Sequence, residues 1–262
     1  MYQAFTKEDK LKHYNLPEEY IVAASLSWGT WKGLQKILLI IDALKRKGIK
    51  YKEEVLSSEF LANGIHSYII NDKRLWFISN YGSALMSEYI HLASLFGSNI
   101  NLFLGVCGGL DPIIDTNDLI VPKSSFSTDS SSWMYVRGDY AKNYYPDERL
   151  TSLLFSKLKV ASNQVIMGKF ITIQGMMGET KEDIEQWSAQ GYQAVEMEVA
   201  TVFAVSKYFN VPSAAIIQVA DNLVKNETIN SERYKKKKEL RDVNRNLSID
   251  TALDTIIEKL KN

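Results

Sequence analysis

Residues 193–222 read QAVEMEVATVFAVSKYFNVPSAAIIQVADN, and this stretch decides the fold class. It places Glu-Met-Glu at the start of a pattern that predicts one long helix over 195–209, then turns at Val-Pro and enters the apolar run 213–219. A nearly continuous apolar run of this length predicts a strand with both faces covered, as in a parallel sheet between helices. Asp221 follows that strand almost immediately.

Outward from this stretch, strand-like and helix-like segments alternate. Strands are predicted at 20–25, 66–70, 74–79, 101–104 and 118–122, and helices at 34–47, 83–96, 180–190 and 240–261. Asn71 and Asp72 between two of the strands predict a hairpin. The serine-rich stretch 124–132 predicts a surface loop. The alternation predicts an α/β protein with one domain over 1–262, a three-layer α/β/α sandwich around a central mixed sheet.

The composition argues against several classes of protein. The chain has 262 residues with 31 Lys plus Arg and 31 Asp plus Glu, so its formal net charge is zero, whereas dedicated nucleic-acid binders are normally basic. The single cysteine, Cys107, rules out an intramolecular disulfide and a multi-cysteine metal site. The three histidines are far apart in sequence and no cluster of carboxylates is visible, so we expect no metal site.

The sequence shows no targeting or membrane segment. The first twenty residues alternate charged and aromatic side chains and lack the apolar core of a signal peptide. No apolar run approaches the roughly 20 residues that a bilayer span needs. We therefore expect a cytoplasmic protein.

Three carboxylates are placed where chemistry is expected on this architecture. Glu196 and Glu198 are two residues apart, so they cannot share one helical face. Asp221 follows a buried strand, and ligands of α/β sheets collect at the carboxyl ends of strands. Partial burial there would raise the pKa of Asp221 enough for it to hold or share a proton. The alternatives are that the two glutamates complement a helix dipole and that Asp221 begins a side-chain turn.

Four motifs in order resemble the nucleoside phosphorylase-I family. They are VEME at 195–198 with VAD at 219–221, NYG at 80–82, GVCGGL at 105–110 and DLIVP at 118–122. The family includes purine nucleoside phosphorylases, uridine phosphorylases and methylthioadenosine/S-adenosylhomocysteine nucleosidases. The resemblance covers roughly residues 66–233. It implies cleavage of the N-glycosidic bond of a nucleoside by a homo-oligomer (dimer, trimer or hexamer) that needs no cofactor.

The resemblance also implies roles for individual residues. Glu198 would hold the ribose 2′- and 3′-hydroxyls, and Asp221 would give a proton or a strong hydrogen bond to N7 of a leaving purine. Uridine phosphorylases lack an acid at this place, so the resemblance favours a purine. Arg233 would support Asp221. The positions implied to bind substrate are Glu196, Met197, Glu198, Cys107, Gly108 and Met176.

The acceptor side departs from the family pattern. Phosphorolytic members carry Gly-Asp-Pro-x-x-Arg after the first strand, whereas residues 25–32 here read SLSWGTWK and contain no arginine and no acid. Phe103 and Leu104 stand where an arginine usually precedes the glycine-rich loop. The candidate phosphate or acceptor loop consists of Gly29, Lys32, Gly82 and Val106. Phosphate and water therefore both remain possible acceptors.

Two other function classes stay open at this stage. A non-catalytic nucleoside- or base-binding protein would keep the sugar and base contacts without the acceptor arginines. A nucleic-acid protein would depend only on the basic run YKKKK at 234–238. Nearby acids Glu232, Glu239 and Asp242 favour a solvated helix face for that run.

Overall fold

The structure is a computed structural model that describes residues 4–138, 142–162, 164–228 and 230–261, with the backbone only at positions 233 and 234. The strands are β1 (Ala24–Gly29), β2 (Lys52–Glu54), β3 (Ile65–Ile70), β4 (Lys73–Asn80), β5 (Asn101–Gly109), β6 (Leu119–Ser127), β7 (Lys142–Tyr144), β8 (Val165–Thr172), β9 (Ala194–Glu196) and β10 (Ser213–Asn222). The helices are α1 (Lys7–His13), α2 (Gly33–Arg46), α3 (Glu59–Ala62), α4 (Ser83–Leu95), α5 (Ser130–Tyr135), α6 (Glu148–Ala161), α7 (Lys181–Ala189), α8 (Val199–Tyr208), α9 (Glu232–Lys236) and α10 (Lys238–Lys261).

The strands form one mixed sheet, as the sequence predicts. The order along the sheet is β10-β6-β8-β9-β5-β1-β4-β3-β2, and β7 pairs with β6 beside this path. β10 also pairs with β5, so β10, β6, β8, β9 and β5 close into a ring, which we call the strand ring. β1 runs parallel to both β4 and β5, and β10 runs parallel to β5. The carboxyl ends of β1, β4, β5 and β10 therefore meet at one edge of the sheet.

Helices cover both faces of the sheet, which confirms the three-layer arrangement. α4 and α8 pack on one face, where Phe103 and Phe203 belong to the same buried cluster. α2, α6 and α10 pack on the other face around Leu26, Leu104 and Leu253. The exposed turn between β3 and β4 is the predicted hairpin, because Asn71 and Asp72 both take positive φ there.

Several element boundaries differ from the sequence prediction because strand pairing overrides local pattern. The strand predicted at 20–25 begins only at Ala24. The helix predicted at 195–209 is divided into the short strand β9 and helix α8. β5 extends through the glycines to Gly109, since β9 and β10 both pair with its last residues. Gly108 permits this pairing, because a Cβ there would lie 2.8 Å from Leu223 Cδ1.

The prediction of a surface loop at 124–132 is wrong. β6 continues to Ser127, α5 begins at Ser130, and the stretch contains the buried residue Asp129. Asp129 accepts hydrogen bonds from Ser127 Oγ at 2.5 Å, from Ser132 N at 2.9 Å and from Thr201 Oγ1 at 3.3 Å. The serines are buried because they satisfy one another and this carboxylate, as buried polar groups must.

Replacing Asp129 with alanine should lower the free energy of unfolding by about 1.5–3 kcal/mol, the usual cost of losing hydrogen bonds to a charged group. Several buried hydroxyls would lose their acceptor at once. Urea unfolding at neutral pH measures the change. The matched control is Thr128→Ala at the exposed neighbouring position, which should stay within about 0.5 kcal/mol of the wild type. Equal losses in the two variants would contradict a structural role for Asp129.

Within the described ranges, no helix combines the length and apolar character that crossing a membrane requires.

Candidate active site

Glu198 lies at the start of α8, where the ends of two strands meet. Its carboxylate is 5% exposed, and Oε1 accepts a hydrogen bond from Gly82 N at 2.7 Å. A Cβ on Gly29, the last residue of β1, would lie 2.7 Å from Glu198 Oε2. The structure therefore brings together three predicted site residues, Gly29, Gly82 and Glu198. The neighbouring residue Met197 is half-buried, and its carbonyl accepts from Ser83 Oγ at 2.6 Å.

Glu196 has different partners from Glu198. Its Oε2 accepts from the backbone N–H groups of Glu198 at 2.6 Å and Val199 at 2.7 Å, and its Oε1 accepts from Thr172 Oγ1. These contacts cap the start of α8, so the structure supports the alternative that Glu196 complements the helix N-terminus. Its contacts orient the backbone of Glu198, and its implied contact with substrate stays a prediction.

Burial raises the pKa of both Glu196 and Glu198, and the charge of Glu196 raises that of Glu198 further. In the unfolded chain both carboxyls titrate near the ordinary value of about 4.3. The folded state therefore binds more protons above that pH, and its stability falls as pH rises through the folded pKa values.

The substitution Glu198→Gln should reduce this loss of stability. We expect the wild type to lose more free energy of unfolding than the variant when pH is raised from about 5 to about 8, because the amide has no buried proton to lose. Urea unfolding of both proteins at the two pH values measures the difference. Identical losses would show that Glu198 does not hold its proton above the ordinary range.

Asp221 lies next to an irregularity at the end of β10. The register of β10 against β5 shifts between Val219 and Asp221, and Asp221 pairs with Gly108. Burial raises the pKa of Asp221 to about 6. The side-chain turn considered for Asp221 belongs to its neighbour, since Asn222 Oδ1 accepts from Lys225 N at 3.0 Å.

The positions implied to line the base have different exposures. Cys107 is buried, and both its burial and the charge of Asp221 raise the pKa of its thiol, so it stays protonated and unreactive. Gly108 is half-buried, whereas Val106 and Met176 are exposed. Met176 lies in a single turn of 3-10 helix, Met176–Gly178.

Sequence reasoning missed Glu179, which follows that turn. Burial and then the charge of Asp221 raise the pKa of Glu179 to about 7. Burial raises the pKa of Tyr81, with contributions from the charges of Glu198 and Glu179. Tyr81 therefore lies within electrostatic reach of two acids, and its ring contacts Trp31 edge to face at 5.3 Å between centroids. In sequence, Glu179 was indistinguishable from the acids of the helix that follows it.

Two other predicted site residues, Lys32 and Arg233, show no contact with Glu198 or Asp221 among the described side chains. Lys32 is an exposed residue at the start of α2, and its N–H donates to Thr30 Oγ1 at 3.0 Å. Arg233 falls in α9, but its side chain lies outside the described residues, so its support of Asp221 stays a prediction. Among the residues with described side chains, no group of three His, Cys, Asp or Glu residues could hold a metal ion.

Comparison with known proteins identifies the superfamily to which this fold and these motifs belong. The sequence model of the phosphorylase superfamily matches residues 79–253, well over half of the chain, and the chain belongs to this superfamily. Among named relatives, it is 27% identical over 163 residues to the DeoD-type purine nucleoside phosphorylase of Thermoanaerobacter sp. (strain X514), covering 61% of this chain and 69% of that protein. It is 26% identical over 149 residues to the guanosine phosphorylase of Halorubrum lacusprofundi, covering 56% of this chain and 61% of that protein.

Solved structures share the fold at lower identity. Uridine phosphorylase from Vibrio fischeri ES114 superposes with a TM-score of 0.75 at 17% identity, covering 98% of this chain and 99% of that one. The 5′-methylthioadenosine/S-adenosyl homocysteine nucleosidase of Campylobacter jejuni gives a TM-score of 0.68 at 17% identity, covering 88% of this chain and 98% of that one. Because the first acts as a phosphorylase and the second as a nucleosidase, the shared fold leaves the acceptor open.

Proposed function

We propose that this protein cleaves the N-glycosidic bond of a nucleoside, with a purine as the favoured base. The observation that carries the proposal is that two acids lie at the carboxyl edge of the sheet. Glu198 is buried beside Gly29 and Gly82, and Asp221 is half-buried at the end of β10 with a raised pKa. The named relatives that act on purine nucleosides support the same reaction.

In the proposed reaction, the bond between ribose C1′ and the base nitrogen breaks, and its electron pair leaves with the base. Asp221 donates its proton to the base, which neutralises the leaving group and lowers the barrier. General acid catalysis of this kind contributes about 10²–10⁴-fold. Glu198 hydrogen-bonds the ribose hydroxyls, since a carboxyl group keeps acceptor lone pairs in either protonation state. An oxygen of water or of phosphate forms the new bond to C1′, and the proton that the acceptor loses restores the acid form of Asp221.

A second candidate is a non-catalytic nucleoside-binding protein. The observation that favours it is Phe103, whose buried ring lies beside both Gly29 and Gly105, 2.9 Å from a Cβ built at either glycine. An apolar ring there offers no donor to a phosphate acceptor. The raised pKa of Asp221 favours the enzyme instead, because binding alone needs no acid.

We also propose a homo-oligomer. Trp31, Leu34 and Leu38 expose large apolar surfaces around the first half of α2. Contiguous exposed apolar surface often marks a protein interface. Light scattering coupled to gel filtration determines the number of subunits, and a monomer at micromolar concentration would overturn this part of the proposal.

Release of free base tests the proposed reaction. A panel of purine and pyrimidine nucleosides is incubated with the protein in the presence and absence of phosphate, and the products are separated by chromatography. Release that requires phosphate supports phosphorolysis, and release without phosphate supports hydrolysis. Tight nucleoside binding without release from any substrate would overturn the enzyme and support the binding protein.

A further inference from the structure

Strand β10 ends in an irregularity that affects the direction of Asp221. Ala220 has no partner in β5, because Val219 pairs with Cys107 and Asp221 pairs with Gly108. An extra residue of this kind bends a strand and redirects its side chains. The direction of the Asp221 carboxyl therefore depends on what fixes the chain on the far side of Ala220.

The carboxyl of Asp221 receives no hydrogen bond from any of the described side chains. The hydrogen bond that lowers its pKa comes from its own backbone N–H, while burial raises the pKa more strongly. Within the described part of the chain, the position of this acid is therefore set by the backbone of β10.

Asn222, the last residue of β10, fixes that backbone with all of its polar groups. Its Nδ2 donates to the carbonyls of Asp111 at 2.9 Å and Ile114 at 2.8 Å, and its Oδ1 accepts from Lys225 N at 3.0 Å. Its backbone N–H donates to Glu227 O, and its carbonyl accepts from Glu227 N. Because Asn222 is fully buried, these hydrogen bonds are shielded from water and join the segment after β5 to the turn after β10.

Two neighbouring residues support these contacts. Lys225 Nζ donates to Ile114 O at 2.8 Å and pairs with Asp115 Oδ1 at 2.9 Å. Gly109, which pairs with Asn222, leaves room for the amide, because a Cβ there would lie 3.1 Å from Nδ2. We call the contacts of the Asn222 amide and of Lys225 the Asn222 junction.

We propose that Asn222 is a positioning residue, which fixes the chain beyond the irregularity and so directs the carboxyl of Asp221 toward the leaving base. Asn222 is fully buried, so it acts through Asp221 and not through the substrate. The proposal rests on the proposed function and deepens it, since it names what holds the general acid. Displacing such a group by about 1 Å costs about 10²-fold in rate.

The substitution Asn222→Ala should lower kcat by about 10²-fold and change KM far less, because only the acid is displaced. In the Asp221→Asn background, the same substitution should have almost no further effect, since no acid remains to be positioned. Steady-state kinetics of the four proteins measures this coupling. A loss of kcat that persists at full size in the Asp221→Asn background would overturn the positioning role.

Asn101→Ala is the matched control for lost hydrogen bonds in a buried place. Asn101 is fully buried at the other end of the same strand pair, opposite Ser213, and its Nδ2 donates to Ser94 Oγ and Ser206 Oγ at 3.0 Å. It should lower the melting temperature as Asn222→Ala does, but keep kcat within about twofold of the wild type. Equal losses of kcat in the two variants would assign the effect to stability and overturn the positioning role.

Lys225→Met tests the same junction if Asn222→Ala does not fold. Lys225 is half-buried, and methionine keeps most of its length while the amide of Asn222 retains its own contacts. The value of kcat should fall less than for a displaced amide, and only while Asp221 is present. An unchanged kcat in this variant, with Asn222→Ala unfolded, would overturn the proposal.

The titration of Asp221 gives a measurement that needs no turnover. Carbon-13 NMR follows the carboxyl, whose signal is assigned by its loss in Asp221→Asn. Burial raises this pKa to about 6, and in Asn222→Ala it should fall toward the ordinary value of about 3.9, because a carboxyl that is no longer held turns toward water. Asn101→Ala should keep the raised pKa. An unchanged pKa in Asn222→Ala would overturn the positioning role.

The two proposals can therefore fail separately. No base release from any nucleoside, with a lowered pKa of Asp221 in Asn222→Ala, would overturn the proposed function and keep the role of Asn222 in holding the carboxyl. Base release with equal kcat in the wild type and Asn222→Ala would keep the function and overturn the role of Asn222.

Discussion

Replacing Asp221 with asparagine should slow base release by about 10²–10⁴-fold, the usual contribution of a general acid. The amide has nearly the same shape and is neutral, but it cannot transfer a proton to the leaving base. Nucleoside binding should change far less than turnover, because the ribose contacts proposed for Glu198 are untouched. Steady-state kinetics with the best nucleoside of the panel gives both quantities.

The pH profile identifies the proton as the cause. Burial raises the pKa of Asp221 to about 6, so kcat/KM of the wild type should fall as pH rises above about 6 and the acid loses its proton. The Asn variant should lack this fall. Asp72→Asn, which changes an exposed carboxylate in the β3–β4 turn in the same way, should leave rate and profile unchanged. Full activity of Asp221→Asn would remove Asp221 from the reaction.

Gly29→Ala should lower kcat/KM by about 10²-fold, the effect of displacing a positioned group by about 1 Å. The new Cβ would lie 2.7 Å from Glu198 Oε2 and 2.9 Å from its Cδ, closer than real carbon contacts allow. Gly82 N also donates to Glu198, so the carboxyl group must either lose this hydrogen bond or move from the position proposed for it against the ribose. Kinetics with the same nucleoside measures the loss.

The control for this substitution is Gly175→Ala, because a Cβ there meets nothing within 4 Å. It should retain activity within about twofold, as surface substitutions usually remain close to neutral. If Gly29→Ala is as active as Gly175→Ala, the close approach of Gly29 to Glu198 has no part in positioning the ribose. A melting temperature for each variant separates misplacement of Glu198 from loss of the fold.

Much of the fold could be predicted because the segments with strong periodicity keep their local preference. The helix predicted at 34–47 is α2, and the predicted hairpin at Asn71 is the turn between β3 and β4. The wrong strand boundaries share one cause, which is pairing between distant strands. β9 is only three residues long and exists because β5 and β8 hold it, and nothing local marks it as a strand.

Part of the candidate site could also be predicted from the sequence. Motif order located Glu198 and Asp221, and the structure places both at the carboxyl edge of the sheet. The role of Glu196 could not be predicted, because one of its partners, Thr172, lies in a strand that the sequence pattern did not indicate. The influence of Asp221 on Glu179 could not be predicted, since the 41 residues between them give no information about proximity in space.

The strand ring also sets the order in which this chain can fold. Its last member, β10, pairs with β5 and β6, which lie far earlier in the sequence. The ring can therefore close only after the long segment between β6 and β10 has formed a loop. Contacts of such high sequence separation slow folding. Until β10 arrives, β5 and β6 each present an unpaired edge that can bind another chain. Since β10 also carries Asp221, the step that covers these edges is the same one that brings in the proposed general acid.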